Sequence, residues 1–178
     1  MKRELVVSQF IKHIQMPVTA IMNLGDYLFM IKVAVLWMLN EHDEVLLAQR
    51  ALDKAQDPGV WGPAVTGKLE SGESFDEALV RETEEELGLK TTDYTPRFLL
   101  EADYNHPDGE VRQFGVYAAI LPKAKTALIR IDPKEVAGIR WFAIDELKQK
   151  MASTPNELVP SAGSVWPETF KAIWPRSK

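Results

Sequence analysis

Apolar and polar positions along the chain switch between the helical and the strand period. Val6, Phe10 and Ile14 make a weak helical stripe that Pro17 interrupts, so the N-terminal residues read as an appended arm, residues 1–24. Gly25 and Asp26 punctuate its end. From Tyr27 to Leu39 the chain is almost continuously apolar and rich in β-branched and aromatic residues, the pattern of a strand buried on both faces. The wholly polar Asn40-Glu41-His42-Asp43 interrupts it as a turn, and Glu44 to Gln49 supplies a second strand, making a hairpin. Ala51 to Pro63 carries Asp53, Asp57-Pro58-Gly59 and Gly62-Pro63 and reads as an irregular loop that delivers the chain to Ala64-Val65-Thr66-Gly67.

The best-defined helix runs from Ser74 to Leu87. Ser74 and Glu77 form the S-x-x-E capping box, and Gly88 stands where a C-terminal cap belongs. Arg97 to Tyr104 and Val111 to Leu121 read as two strands joined by the turn Asn105-His106-Pro107-Asp108-Gly109. Val136 to Phe142 is a further strand and Ile144 to Met151 a short helix. A last helix, Val165 to Trp174, puts Trp166, Phe170, Ile173 and Trp174 on one face. Together these elements predict an α/β (α+β) fold, a sandwich with a mixed β-sheet, as a single domain over residues 25–178.

Composition narrows the function classes. A formal charge of −5 and a pI near 5.3 argue against a stable nucleic-acid complex, which needs a basic face. The absence of cysteine removes disulfides, thiolate metal sites and cysteine nucleophiles, and makes a reducing cytoplasm the expected location. Three scattered histidines argue against a histidine metal site. Tyr27 to Leu39 contains Lys32 and falls short of the ~20 residues of a membrane helix, so no membrane partner is expected. Glu4, Gln9 and Lys12 break up the N-terminus, which predicts no export signal.

The chemistry concentrates in the capped helix. Glu82, Glu85 and Glu86 are spaced i, i+3, i+4, which projects three carboxylates from one helical face. Such like-charged pairs each cost roughly 0.2–0.5 kcal/mol, and these lie toward the negative end of the helix dipole. Arg81 can pair with Glu85 or reach back to Glu73, but one arginine cannot balance Glu82, Glu84, Glu85 and Glu86. A hard divalent cation suits the remainder: Mg²⁺ takes oxygen ligands from a few carboxylates together with substrate phosphates.

The whole segment carries more than three glutamates. Gly67, Glu73, Arg81, Glu82, Glu85, Glu86 and Gly88, with apolar Leu89 following, recur by chance with a frequency on the order of 10⁻⁹ per starting position. This pattern resembles the Nudix box, G-x5-E-x7-R-E-U-x-E-E-x-G-U, where U is bulky and apolar. Thr83 is its one departure, and a β-branched threonine is close to valine in shape. Gly138-Ile139-Arg140-Trp141-Phe142 and Asp145-Glu146-Leu147 are also similar to the rest of a Nudix domain.

The resemblance implies the family's α/β/α sandwich, with the box as a loop-helix-loop. It implies that Glu82, Glu85 and Glu86 bind Mg²⁺, with Mn²⁺ as an alternative ion, joined by the Gly67 carbonyl. It further implies that Arg81 and Glu73 orient these glutamates, and that water attacks a phosphorus of a nucleoside diphosphate linked to another group. A carboxylate must accept the proton of that water. Glu82 and Glu86 are the candidates within the box, and Glu135, in the loop before the last strand, is the candidate outside it.

Substrate contacts are less specified. Arg50 and Lys68 could meet phosphate oxygens, and Trp61, Tyr104 and Phe114 could stack a flat ring, although core packing is the favoured role for each aromatic. Leu46-Leu47-Ala48-Gln49-Arg50-Ala51 and Asp57-Pro58-Gly59-Val60-Trp61 also resemble the isopentenyl-diphosphate isomerase branch of the superfamily. That branch uses a cysteine for proton transfer, and this chain has none. The Trp61 to Glu73 segment is similar to bacterial enzymes acting on dihydroneopterin triphosphate. A non-catalytic nucleotide sensor is the remaining alternative. The N-terminal arm and the face of Trp166, Phe170 and Trp174 are candidate surfaces for a homodimer, or for packing on the domain's own core.

Overall fold

The computed structural model describes residues 30–174, so the predicted arm, its helical stripe and its boundary with the domain lie outside the described residues. Its elements are β1 (Ile31–Leu39), β2 (Glu44–Arg50), β3 (Trp61–Pro63), β4 (Val65–Lys68), α1 (Phe75–Leu87), β5 (Arg97–Asn105), β6 (Val111–Ile120), β7 (Val136–Ala143), α2 (Ile144–Ser153) and α3 (Trp166–Ile173). Short 3₁₀ turns link β6 to β7 and α2 to α3. No helix among the described residues is long and apolar enough to cross a membrane.

The sheet has seven strands in the order β3-β2-β1-β6-β5, with β4 also paired to β1 and β7 to β2. β1 and β6 run parallel from Ile31↔Arg112 to Leu39↔Ile120, and the other pairs are antiparallel, so the sheet is mixed. β1 keeps β2 only through Met38↔Leu46 and Leu39↔Val45, because its earlier half takes β4, Val33 to Leu36 against Lys68 to Val65. That exchange of partners brings Gly67 beside the centre of the sheet.

Alternation along β1 divides the core into two layers. Ala34, Leu36 and Met38 join Leu79 and Leu87 of α1, whereas Val33, Val35, Trp37 and Leu39 join Phe142, Leu147 and Trp166 on the other face. Trp37 meets Trp166 edge-on at 5.0 Å and Phe170 at 5.2 Å. Trp166, Phe170, Ile173 and Trp174 therefore pack on the domain's own core, with Trp166 buried and the other three partly exposed.

Two short strands depart from the sequence reading. Trp61–Pro63, placed in a loop because of Gly62 and Pro63, pairs with β2 through Gln49↔Trp61 and Leu47↔Pro63. Val65–Lys68 is a strand against β1. Neither has the length over which alternation can be recognised, and both are held by pairing with partners distant in sequence. On β6, Gly115 faces the first residue of α1: a Cβ there would lie 2.5 Å from the Phe75 ring, so a glycine is what lets the helix settle on the sheet.

Candidate active site

Helix α1 begins and ends on local signals. The Ser74 hydroxyl accepts from the Glu77 amide and the Glu77 carboxylate accepts from the Ser74 amide, completing the capping box, and Gly88 closes the helix in the left-handed region at φ 66°. Thr83 is fully buried and donates its hydroxyl to the Leu79 carbonyl at 2.6 Å. A polar residue thus fills the box's apolar position with its hydrogen bond satisfied inside the helix.

Arg81 is the hub of the site. Its guanidinium grips Glu73 through two bonds of 2.9 Å, donates to Glu82 Oε1 at 2.7 Å and to Glu85 Oε2 at 3.3 Å, and reaches the Lys68 carbonyl at 3.0 Å. The Arg81 bonds, assisted by the Glu70 amide, hold the Glu73 carboxyl down at about 2. One cation therefore joins the loop before α1, the end of β4 and two of the three predicted metal ligands.

Gly67 has a spatial task. A Cβ at this position would stand 2.0 Å from both Cγ and Cδ of Glu82, so the glutamate lies directly against the β4 backbone in the room a side chain would take. The conformation needs no positive φ, and close approach alone excludes a side chain. Glu82 rests against the residue whose carbonyl was expected to share its ion.

Glu86 turns farthest inward. It is 9% exposed and makes no ion pair with a lysine or arginine among the described residues. Burial pushes its carboxyl up to about 8, Glu82 and Glu135 add repulsion, and the Thr66 amide and Arg50 oppose the rise. Burial likewise raises Glu82. Glu85 remains exposed at the rim. Among the described residues no three acidic or histidine side chains converge on a ready-made cage, as expected while Arg81 draws Glu82 and Glu85 to itself.

Other predicted residues fall into three groups. Glu135 comes to the carboxylates from the β6–β7 connection, which is tied to α1 by Arg130 N–H to the Leu87 carbonyl and Asp132 N–H to the Glu86 carbonyl. Its carboxylate pairs with Lys54 at 2.6 Å, and its carbonyl accepts from Ala51. Arg50 faces the same cluster and spends Nε on the Gln56 carbonyl at 3.2 Å, leaving its terminal nitrogens for other partners. Lys68 is exposed at the end of β4, with no ion pair among the described residues.

The aromatics belong mainly to packing. Trp61 is half-buried and meets Phe142 edge-on at 5.5 Å; Phe114 is buried and stacks on Tyr104 at 5.9 Å. Tyr104, like Trp61, is half-buried against the core. The sequence reading missed Lys54 as the partner of Glu135 and the Thr66 amide beside Glu86. Both arise from long-range folding, and no local spacing announces them.

Comparison with known proteins completes this geometry. The chain matches the NUDIX domain over residues 28–162. It belongs to the NUDIX domain family. Isopentenyl-diphosphate Delta-isomerase of Salmonella arizonae is 30% identical over 127 residues, covering 70% of this chain and 68% of the relative. A MutT NUDIX hydrolase from Burkholderia pseudomallei is 26% identical, with a TM-score of 0.53 over 65% of this chain and 84% of that one. The MutT protein from Methanosarcina mazei shares the fold at a TM-score of 0.63, with 17% identity over 83% and 96% of the two chains. The expected Nudix fold and family are thus borne out, and the scaffold of this Nudix protein is that of the Nudix hydrolases.

Proposed function

We propose that this Nudix protein is a Mg²⁺-dependent hydrolase that cleaves a diphosphate linkage in a nucleoside di- or triphosphate or a related nucleotide derivative. One observation carries the reading: Glu86 is buried beside Glu82 and Glu135 with no lysine or arginine paired to it among the described residues, where a hard cation would complete the site. The donors fit such an ion, since Glu82, Glu85, Glu86 and the Gly67 carbonyl are all oxygen ligands for Mg²⁺ or Mn²⁺. When bound, the ion neutralises phosphate oxygens and acidifies the attacking water.

The chain's own residues supply the rest. Glu73 anchors Arg81, and Arg81 holds Glu82 against Gly67. Arg50 and Lys68 receive phosphate oxygens, Arg50 from a position that already faces Glu86. The proton of the water passes to a carboxylate of the cluster, Glu82, Glu86 or Glu135, and Lys54 steadies the last of these. Trp61 contributes to substrate binding by shaping the wall beside β2. The protein works on a small soluble substrate in the cytoplasm, and a homodimer through the predicted arm, residues 1–24, or through the face of Phe170 and Trp174 would be revealed by light scattering.

Incubation with Mg²⁺ and a panel of nucleotides should release phosphate or diphosphate, and Glu85→Gln should abolish the release. Equal turnover by wild type and variant would sink the assignment. The isomerase relative motivates a second reading, in which the same scaffold grips the diphosphate of an isoprenoid. The chain has no cysteine for the proton transfer associated with that branch. Interconversion of isopentenyl and dimethylallyl diphosphate without phosphate release would favour it over hydrolysis.

A further inference from the structure

Residues 51–60 cross between β2 and β3 without regular structure. Arg50 stands at the root of this loop, and Lys54 within it pairs with Glu135, so its placement decides where both groups meet the carboxylates. The loop contains Asp57 at φ 50°, in the left-handed region that aspartate enters more readily than most side chains. Here the loop meets the tip of the β5–β6 hairpin.

His106 is buried at that tip, with a side chain 6% exposed. Its Nδ1 lies 2.8 Å from Asp108 Oδ2 and accepts from the Asp108 amide at 3.3 Å, and its Nε2 lies 3.4 Å from Asp57 Oδ2 without a hydrogen bond to any group among the described residues. The ring edge of Tyr104 packs beside it at 5.9 Å. Asp108 in turn receives Gln56 Nε2 at 2.5 Å and Arg112 at 2.8 Å, while Arg112 also meets Glu110 at 3.1 Å. Two consecutive loop residues thus meet one hairpin tip, Gln56 through a hydrogen bond and Asp57 through the 3.4 Å approach of His106 Nε2. The Gln56 carbonyl then accepts Arg50 Nε.

We propose that His106 is a positioning residue, bridging Asp57 and Asp108 to pin the 51–60 loop and thereby aim Arg50 at the phosphate groups of the substrate. A turn that served only the hairpin would need Asp108 and the local bonds from Glu110; it would not need a buried imidazole directed at Asp57 in another loop. The inference rests on the hydrolase reading for the identity of what Arg50 meets. The tie itself can be tested without turnover.

The experiment compares wild type, His106→Phe, Arg50→Gln and the double variant as full chains with Mg²⁺. Phenylalanine keeps a ring against Tyr104 and removes both nitrogen contacts. Backbone hydrogen exchange in residues 51–60 should accelerate about ten-fold or more in His106→Phe while α1 is unchanged. Calorimetric affinity for inorganic diphosphate should fall about three- to ten-fold in His106→Phe, and the double variant should be no weaker than Arg50→Gln alone. Unchanged exchange in the loop, additive losses of affinity, or no wild-type affinity for diphosphate would each overturn the proposal. Asp57→Asn should reproduce the loosening if His106→Phe folds poorly, and failure to do so also overturns it. Diphosphate binding with these properties, but no turnover of any nucleotide, would instead remove the hydrolase reading and leave the tie standing.

Discussion

The two halves of α1 are built on opposite principles. Its first half is satisfied by its own sequence: the Ser74–Glu77 box closes the free amides, and Asp76 and Glu77 lie at the positive end of the dipole. Its last turn holds no basic residue, and Glu82, Glu85 and Glu86 crowd its second half with Glu86 buried. The stable half serves as a footing for the unstable one. The site is the place where the helix breaks the rules that the rest of it keeps.

Substitutions in the two halves should therefore separate activity from stability. Removing a charge from the crowded end has the largest expected effect: Glu82→Gln or Glu86→Gln should lower kcat by more than about 100-fold, beyond the 10–100-fold typical of losing an outer partner of a metal ligand. Gly67→Ala should follow, since the new methyl would displace Glu82, and a shift of about 1 Å at a reacting centre costs about 100-fold. Arg81→Gln frees Glu82 and Glu85 and should cost roughly 10–100-fold in turnover, with a weaker apparent affinity for Mg²⁺.

Titration sharpens the contrast. Folded Glu86 keeps its proton up to about 8, whereas the unfolded chain loses it near the ordinary value of 4.5. Between those values the unfolded state binds fewer protons, so its ionisation lowers stability as pH rises. In EDTA the melting temperature should fall across that window in wild type relative to Glu86→Gln, and saturating Mg²⁺ should abolish the difference. Parallel melting curves at every pH would contradict the buried position of this carboxyl. Smallest is the effect of Ser74→Ala at the quiet end: about 1 kcal/mol of stability by denaturant unfolding, with kcat unchanged.

The same division decides what could be read from residues in a row. The capping box, the Gly88 stop and the three glutamates depend on spacings within one helix, and all are visible in the chain. The longer strands were visible too: the apolar run Tyr27 to Leu39 holds β1 at Ile31–Leu39, and the reading Val111 to Leu121 holds β6 at Val111–Ile120. β3 and β4 were not, because three or four residues carry no period and their pairing is imposed from outside. Gly67 was legible as the opening glycine of the box, but its role as space for Glu82 required the β4 backbone to be in place. Trp61 and Phe114 mark the other limit: an aromatic that packs on Phe142 or beneath Tyr104 looks, in sequence, like one that waits for a ligand.

Gly115 gives the site a remote lever. Its missing side chain sets the height at which Phe75 docks, and Phe75 is the first residue of a rigid rod. Eleven residues along that rod, about 17 Å at 1.5 Å per residue, lies Glu86. Alanine at Gly115 would wedge the near end upward against an aromatic ring that cannot bend aside, and the rod would carry the tilt to the carboxylates. The gap between two layers thus acts as a tuning screw for the placement of the carboxylates at the far end, turned by a position remote from all three of them.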